Sequence, residues 1–276
     1  NKVDLNSSKR RIISPMSMKL NFIHQGEGYP VILLHGLFGS LRNLSQVSKS
    51  LADEFSVYLL DQRNHGSSPH SDQMNFRHMA EDVLHFMDTQ NITKAHFLGH
   101  SMGGKTAMQI ALNHAHRVNR LVVADIAPVS YTRRHDPVID GLTEVNQAKL
   151  TSRRDADQLL SRYVTEPEVR AFLLKSLTRN EEGYFQLKFN LASIAKNYEQ
   201  LIQGPDGTPF EGPTLFIKGA ESPYIQEKHR DITVTLFPNT QLKIIAGTGH
   251  WLHAEKPAIF NRLVSAFLKN CLHKIR

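Results

Sequence analysis

The sequence predicts an α/β fold, a mostly parallel twisted sheet flanked by helices with a helical segment inserted into it. Three observations carry that prediction. Short apolar runs alternate with stretches whose apolar residues recur at helical spacing. The alternation stops after Pro128 and resumes near Thr214. The run Ala95-His96-Phe97-Leu98 leads directly into Gly99-His100-Ser101-Met102-Gly103, a strand-to-helix turn with a glycine two residues to either side of a serine.

The elements follow in order. Met18-Lys19-Leu20-Asn21-Phe22-Ile23 reads as an antiparallel strand that ends at Gly26, and Val31-Ile32-Leu33-Leu34 as a buried strand that stops at His35-Gly36. Leu41, Leu44, Val47 and Leu51 repeat at helical spacing; Val57-Tyr58-Leu59-Leu60 is the next strand, halted at Asp61. Phe76, Met79, Val83 and Leu84 mark a helix, and the small apolar stretch 104–111 begins a buried helix behind the serine. Leu121-Val122-Val123-Ala124 is the strand after it. From about Val129 to Gly204 only helical patterning is expected, with stripes at Leu159-Leu160, Val169, Phe172-Leu173-Leu174 and Leu191 with Ile194. Thr214-Leu215-Phe216-Ile217, a helix around 226–236, the strand Leu242-Lys243-Ile244-Ile245 and a last helix from Pro257 to about Leu272 complete the pattern. The expected organisation is a core over 18–128 and 205–276, a helical cap over 129–204, and a leader over 1–17 that is a disordered extension or a vector-derived remnant.

A chain of 276 residues with ordinary apolar and charged fractions can bury one large core plus an insertion. Its single cysteine, Cys271, allows no intrachain disulfide, which fits a reducing, cytoplasmic setting. No apolar run approaches the roughly 20 residues of a membrane span, and the N-terminus has no apolar signal core, so neither a span nor secretion is expected. Part of the net charge of +7 sits in the leader, on Lys2, Lys9, Arg10 and Arg11 against Asp4. The rest is spread over helices without a nucleic-acid module, and no nucleic-acid partner is expected. The absence of His-Glu-x-x-His or clustered Cys/His spacing argues against a metal centre.

Nucleophilic serine chemistry needs a base to take the hydroxyl proton and a carboxylate to hold that base in the right tautomer. Among 15 histidines, position singles out His250, in the glycine-rich loop Gly247-Thr248-Gly249-His250-Trp251 just after the last strand, where active sites of open α/β sheets gather. His253 is read as structural and His100 as packing against the sheet. The acid is a choice of two. Where an Asp commonly follows the next-to-last strand, this chain has Gly219-Ala220-Glu221-Ser222. That leaves Glu221, or Asp125 at the end of the strand 121–124, and Asp125 is favoured because the apolar strand ahead of it delivers its carboxylate beside the nucleophile strand. The developing oxyanion needs two backbone amides. Met102 supplies one, and Leu37 the other, with Phe38 as second choice. The polar turn Asp61-Gln62-Arg63-Asn64-His65-Gly66-Ser67-Ser68 is read as bracing this site from behind.

Taken together, His35-Gly36-Leu37-Phe38-Gly39-Ser40, Asp61-x-Arg63-Asn64-His65-Gly66-x-Ser68, Gly99-His100-Ser101-Met102-Gly103-Gly104-Lys105, Asp125-Ile126-Ala127-Pro128-Val129 and Gly249-His250-Trp251-x-His253-Ala254-Glu255-Lys256-Pro257 resemble the α/β-hydrolase superfamily, and within it the bacterial YbfF-type esterases. The resemblance spans nearly everything from Met18 onward and is loosest in the cap. It implies the α/β-hydrolase fold, hydrolysis of carboxylic esters with acyl-CoA thioesters as a further substrate class, an acid at Asp125, and no metal or organic cofactor. Phe38, Tyr131, Phe172, Leu173, Tyr184 and Phe185 are expected to line an acyl pocket under the cap, and Arg133-Arg134-His135 to meet the phosphates of a CoA-like leaving group. The partner is then a small-molecule ester or acyl-CoA, acted on by a monomer or homodimer. Ser101 argues against the aspartate-nucleophile dehalogenases and epoxide hydrolases of this fold. Carbon–carbon bond hydrolases, lactonases and non-catalytic ligand receptors on the same scaffold remain as alternatives.

Overall fold

The computed structural model describes residues 17–269. The expected leader, apart from Ser17, and Cys271 with the end of the last helix lie outside the described residues. In chain order the elements are β1 (Phe22–Gln25), β2 (Tyr29–Leu34), α1 (Ser45–Leu51), β3 (Phe55–Leu60), α2 (Phe76–Thr89), β4 (Ala95–His100), α3 (Met102–Asn113) and β5 (Val118–Ala124). An inserted stretch then carries α4 (Asp136–Gln147), α5 (Arg153–Leu160), α6 (Pro167–Leu174), β6 (Leu177–Arg179), β7 (Phe185–Leu187), α7 (Leu191–Lys196) and α8 (Tyr198–Leu201). The chain returns through β8 (Thr214–Gly219), α9 (Arg230–Leu236), β9 (Thr240–Ile245), α10 (Leu252–Glu255) and α11 (Pro257–Lys269).

Among the described residues, seven strands form one sheet in the order β1-β3-β2-β4-β5-β8-β9. Only β1 runs antiparallel; the other neighbours are parallel. This is the α/β-hydrolase fold. The strands read as continuous apolar runs because both faces are covered. The central strands show the alternation of faces: Ile32, Leu34, Phe97 and Val123 pack toward α2 and α3 on one face, while Leu33, Leu98 and Val122 meet Val47, Phe260 and Val264 of α1 and α11 on the other. Each such buried side chain stabilises the fold by about 1.5–3 kcal/mol. Strand order departs in opposite directions from β2 and β4, and a crevice opens at the carboxyl ends of strands at such a point.

Two expectations shift. The first strand begins at Phe22 rather than Met18, because Asn21 is drawn off: its N–H donates to Ser68 Oγ at 2.8 Å and its Nδ2 to Asp61 Oδ2 at 2.8 Å. The insertion is not purely helical. A hairpin of β6 and β7 interrupts it, turning at Gly183 with φ +86°, and its buried residues Leu177, Phe185 and Leu187 form one apolar side. Among the described residues no helix is long and apolar enough to cross a membrane.

Candidate active site

Ser101 stands between β4 and α3 with φ 53° and ψ −118°, a conformation costly for any residue with a Cβ. The surroundings hold it there. A Cβ at Gly99 would lie 2.2 Å from the Gly103 carbonyl oxygen, and one at Gly103 would lie 2.2 Å from that of Leu34, so only glycine lets β4, α3 and β2 approach this closely. The Ser101 N–H donates to the Ala124 carbonyl at 3.0 Å, fixing the turn to the neighbouring strand.

The structure brings Ser101, His250 and Asp125 together. His250 Nδ1 lies 2.7 Å from Asp125 Oδ2, and His250 Nε2 lies 3.0 Å from Ser101 Oγ. A carboxylate only accepts, so Nδ1 carries the proton and Nε2 presents its lone pair to the serine hydroxyl. Asp125 is fully buried, with φ 53°, and among the described residues its carboxylate accepts from three donors: His250, the Gly219 N–H at 3.0 Å to Oδ1, and the Ser222 hydroxyl to Oδ2. Ser222, at the position where an Asp is common, thus supports Asp125 instead of replacing it. Glu221 is exposed, and among the described residues its one hydrogen bond is from its backbone N–H to the Thr248 carbonyl at 3.0 Å.

The backbone around His250 is gripped on three sides. Glu255 Oε2 accepts the Gly249 N–H at 2.8 Å, Glu255 Oε1 accepts the Trp251 N–H at 3.1 Å, and His100 Nε2 donates to the His250 carbonyl at 2.8 Å. Burial holds His100 neutral, well below the usual histidine range, and the carbonyl acceptor places its proton on Nε2. Its ring also packs on those of His250 and His253 at 4.7 and 4.5 Å. His100 therefore does more than fill the sheet. Tyr224, which the sequence pattern does not single out, stacks on the His250 imidazole at 4.1 Å.

Leu37 and Met102 both line the cavity next to Ser101. The Phe38 amide is committed elsewhere, donating to His65 Nε2 at 3.1 Å, whereas the Leu37 amide makes no hydrogen bond among the described residues. That leaves Leu37 as the open donor on this loop, with Met102 at the first turn of α3, where helical N–H groups have no carbonyl partner. The turn behind them is densely bonded. His65 Nδ1 donates to the Arg63 carbonyl at 3.0 Å, Asp61 Oδ1 accepts the Leu41 N–H at 2.8 Å, and Arg63 clasps Asp82 of α2 at 2.7 and 2.9 Å in full burial. Burial and the nearby His35 push His65 down to about 3, so it stays a neutral acceptor.

A cavity of about 500 Å³ opens over Ser101, walled by Phe38, Tyr131, Phe172, Leu173 and Tyr224. Tyr184 and Phe185, expected there, are not among its walls. They belong to the hairpin, where Arg153 and Arg179 cover the Phe185 ring at 5.3 and 4.7 Å and Lys149 lies 5.8 Å from that of Tyr184. Arg133 is also spent, paired with Asp136 and Glu199. Arg134 lines the cavity, its guanidinium 5.1 Å from the Tyr224 ring. His135 is held between Tyr198 and Tyr224 hydroxyls at 2.7 and 3.3 Å, and burial pushes it down to about 4. Lys105, one turn along α3 from Ser101, reaches the same cavity. Its Nζ donates to the Ile202 and Gln203 carbonyls, and burial lowers it to about 7.

Residues 29–257 match the family model for the alpha/beta hydrolase fold, and the chain belongs to that family. It is 37% identical to esterase YbfF of Escherichia coli (strain K12), over 92% of this chain and 100% of that protein. The sn-1-specific diacylglycerol lipase ABHD11 of Danio rerio is 36% identical over 95% of this chain and 86% of its own length. Among solved structures, a marine microorganism esterase superposes with a TM-score of 0.88 at 41% identity, covering 91% of this chain and 100% of that one.

Proposed function

We propose that the protein is a serine esterase that hydrolyses carboxylic esters through an acyl-enzyme on Ser101. The observation that carries this reading is the relay of two hydrogen bonds from Asp125 Oδ2 through His250 to Ser101 Oγ, at 2.7 and 3.0 Å. His250 Nε2 takes the hydroxyl proton as Oγ attacks the ester carbonyl. Asp125 holds the imidazole and offsets the charge that it gains. The oxyanion of the tetrahedral intermediate sits against the Leu37 and Met102 amides. As the carbonyl re-forms, the bond to the alcohol breaks and the imidazolium returns its proton to the leaving oxygen. Water repeats the sequence on the acyl-enzyme, releasing the acid and restoring Ser101.

Acyl-CoA thioesters are a second substrate class, favoured by the Arg134 guanidinium at the cavity, which pairs with no carboxylate among the described residues. A panel of p-nitrophenyl esters and acyl-CoAs of increasing chain length tests both. Turnover of short esters by the wild type and none by Ser101→Ala is the expected result for the esterase. An Arg134→Ala variant should raise KM for acyl-CoA more than for a neutral ester of the same acyl length. An equal rise for both removes the thioester reading.

A further inference from the structure

The inserted segment leaves the core through Ser130 and Tyr131 and returns through Ile202, Gln203 and Gly204, and these two stems are bonded to each other. The Tyr131 N–H donates to the Ile202 carbonyl at 2.8 Å, the Gly204 N–H to Ser130 Oγ at 2.9 Å, and the Ser130 hydroxyl to Gln203 Oε1 at 3.1 Å. Tyr131 and Ile202 also wall the cavity over Ser101. Where the stems sit therefore decides the shape of that wall.

Lys105 joins the stems to the catalytic helix. Its main-chain N–H donates to the Ser101 carbonyl at 3.1 Å, one turn of α3 from the nucleophile. Side chains on a helix lean toward its N-terminus, so the Lys105 side chain runs back toward the cavity that it lines. The residue is only 2% exposed. Its amino group donates to the Ile202 and Gln203 carbonyls of the returning stem, and lies 4.8 Å from the ring centroid of Tyr131 in the outgoing stem and 5.5 Å from that of Phe76 in α2. It pairs with no carboxylate among the described residues. A lysine is almost never buried without an acid beside it. Here two carbonyls and two ring faces offset the loss of water, and they do so only while both stems stay in place.

We propose that Lys105 is a positioning residue for acyl-chain specificity: by clasping both stems it fixes the Tyr131 and Ile202 wall, and so sets how much the reaction gains from each added carbon of the acyl group. This rests on the esterase reading above. An acetyl group ends beside Ser101 and has little to gain from the wall. A longer chain must lie along the apolar cavity, where each methylene removed from water favours the transition state by up to about fourfold. A loosened wall forfeits part of that gain, because a methylene that faces a gap loses its packing partners. The main-chain bond from residue 105 to Ser101 survives any change of side chain. Loss of the clasp therefore acts on selectivity and spares the chemistry on a short ester.

The test measures kcat/KM for p-nitrophenyl acetate, butyrate, hexanoate and octanoate in the wild type, Lys105→Met and Lys105→Gln, with urea midpoints alongside. Methionine fills much the same space without a donor, and glutamine keeps an N–H donor on a shorter arm. The wild type should gain about a hundredfold from acetate to octanoate. That gain should shrink by about tenfold in Lys105→Met and by less in Lys105→Gln, with the acetate value held within about threefold. General damage to the fold or to the Ser101–His250 pair slows all four esters alike and leaves the dependence on chain length untouched. A dependence that neither variant changes, whatever the midpoints do, overturns the role of Lys105 while leaving the esterase reading intact, as does a wild type indifferent to chain length. Failure of the wild type to turn over any of the four esters overturns both.

Discussion

Asp125 is the residue on which the proposed chemistry turns most sharply. Its carboxylate is fully buried and accepts from His250, Gly219 and Ser222, so an uncharged amide in its place offers His250 an N–H where it needs an acceptor. The imidazole then adopts the wrong tautomer, with its proton facing Ser101. Asp125→Asn should lower kcat for a p-nitrophenyl ester by about 10⁴-fold. Glu221→Gln, at an exposed side chain, should change it by less than about twofold. Steady-state kinetics on the two purified variants decides the matter, and the reverse order of effects contradicts the assignment. In the sequence the apolar run before Asp125 already pointed to it. What the sequence could not display was Ser222, whose hydroxyl turns the departure from the common pattern into support for a displaced acid.

At the level of elements, the elbow between β4 and α3 ties strain to function. A Cβ at Gly103 would sit 2.2 Å from the oxygen of Leu34 at the end of β2 and 2.6 Å from that of His35, which starts the loop that carries Leu37. Gly103→Ala should therefore destabilise the protein by about 3 kcal/mol or more and displace the Leu37 side of the oxyanion site. Urea unfolding measures the first effect; an unchanged midpoint would contradict the packing described. The parallel strands and their order of appearance were legible because each is a continuous apolar run closed by a polar or glycine-rich turn. The hairpin of β6 and β7 was not, since three-residue strands are too short to establish a period of two against flanking helical stripes. Its aromatic residues looked like pocket residues for the same reason: Phe185 is apolar and buried, and nothing local to it says which cavity it faces. In the sequence Lys105 reads only as part of the elbow motif, because a lysine in a helix is ordinarily solvated and its enclosure comes from the chain's return through Ile202 and Gln203.

For the whole molecule, the buried histidines set the response to acid. His65 and His253 are pushed down to about 3, His96 and His135 to about 4, in each case chiefly by burial. In the unfolded chain each titrates near 6.5, so between that value and the folded one the unfolded state binds protons that the native state refuses. Stability is complete above about pH 6.5 and falls as the pH drops, by up to about 1.4 kcal/mol per pH unit for each histidine. Urea midpoints measured from pH 7.5 to 5 should be flat at the upper end and decline steeply below about 6.5. A constant midpoint down to pH 5 would contradict the neutrality of these buried histidines. The same burial makes His35, His65 and His100 dependable as fixed-tautomer supports for the loops around Ser101.

The account as a whole stands on Ser101 being activated by His250, and covalent labelling reads that directly. Intact-mass analysis after exposure to a fluorophosphonate, followed by peptide mapping, should find one adduct on Ser101. Ser101→Ala should take up none, and His250→Ala should react slower by several orders of magnitude. An adduct on a different residue, or labelling of Ser101 at the same rate without His250, would contradict it.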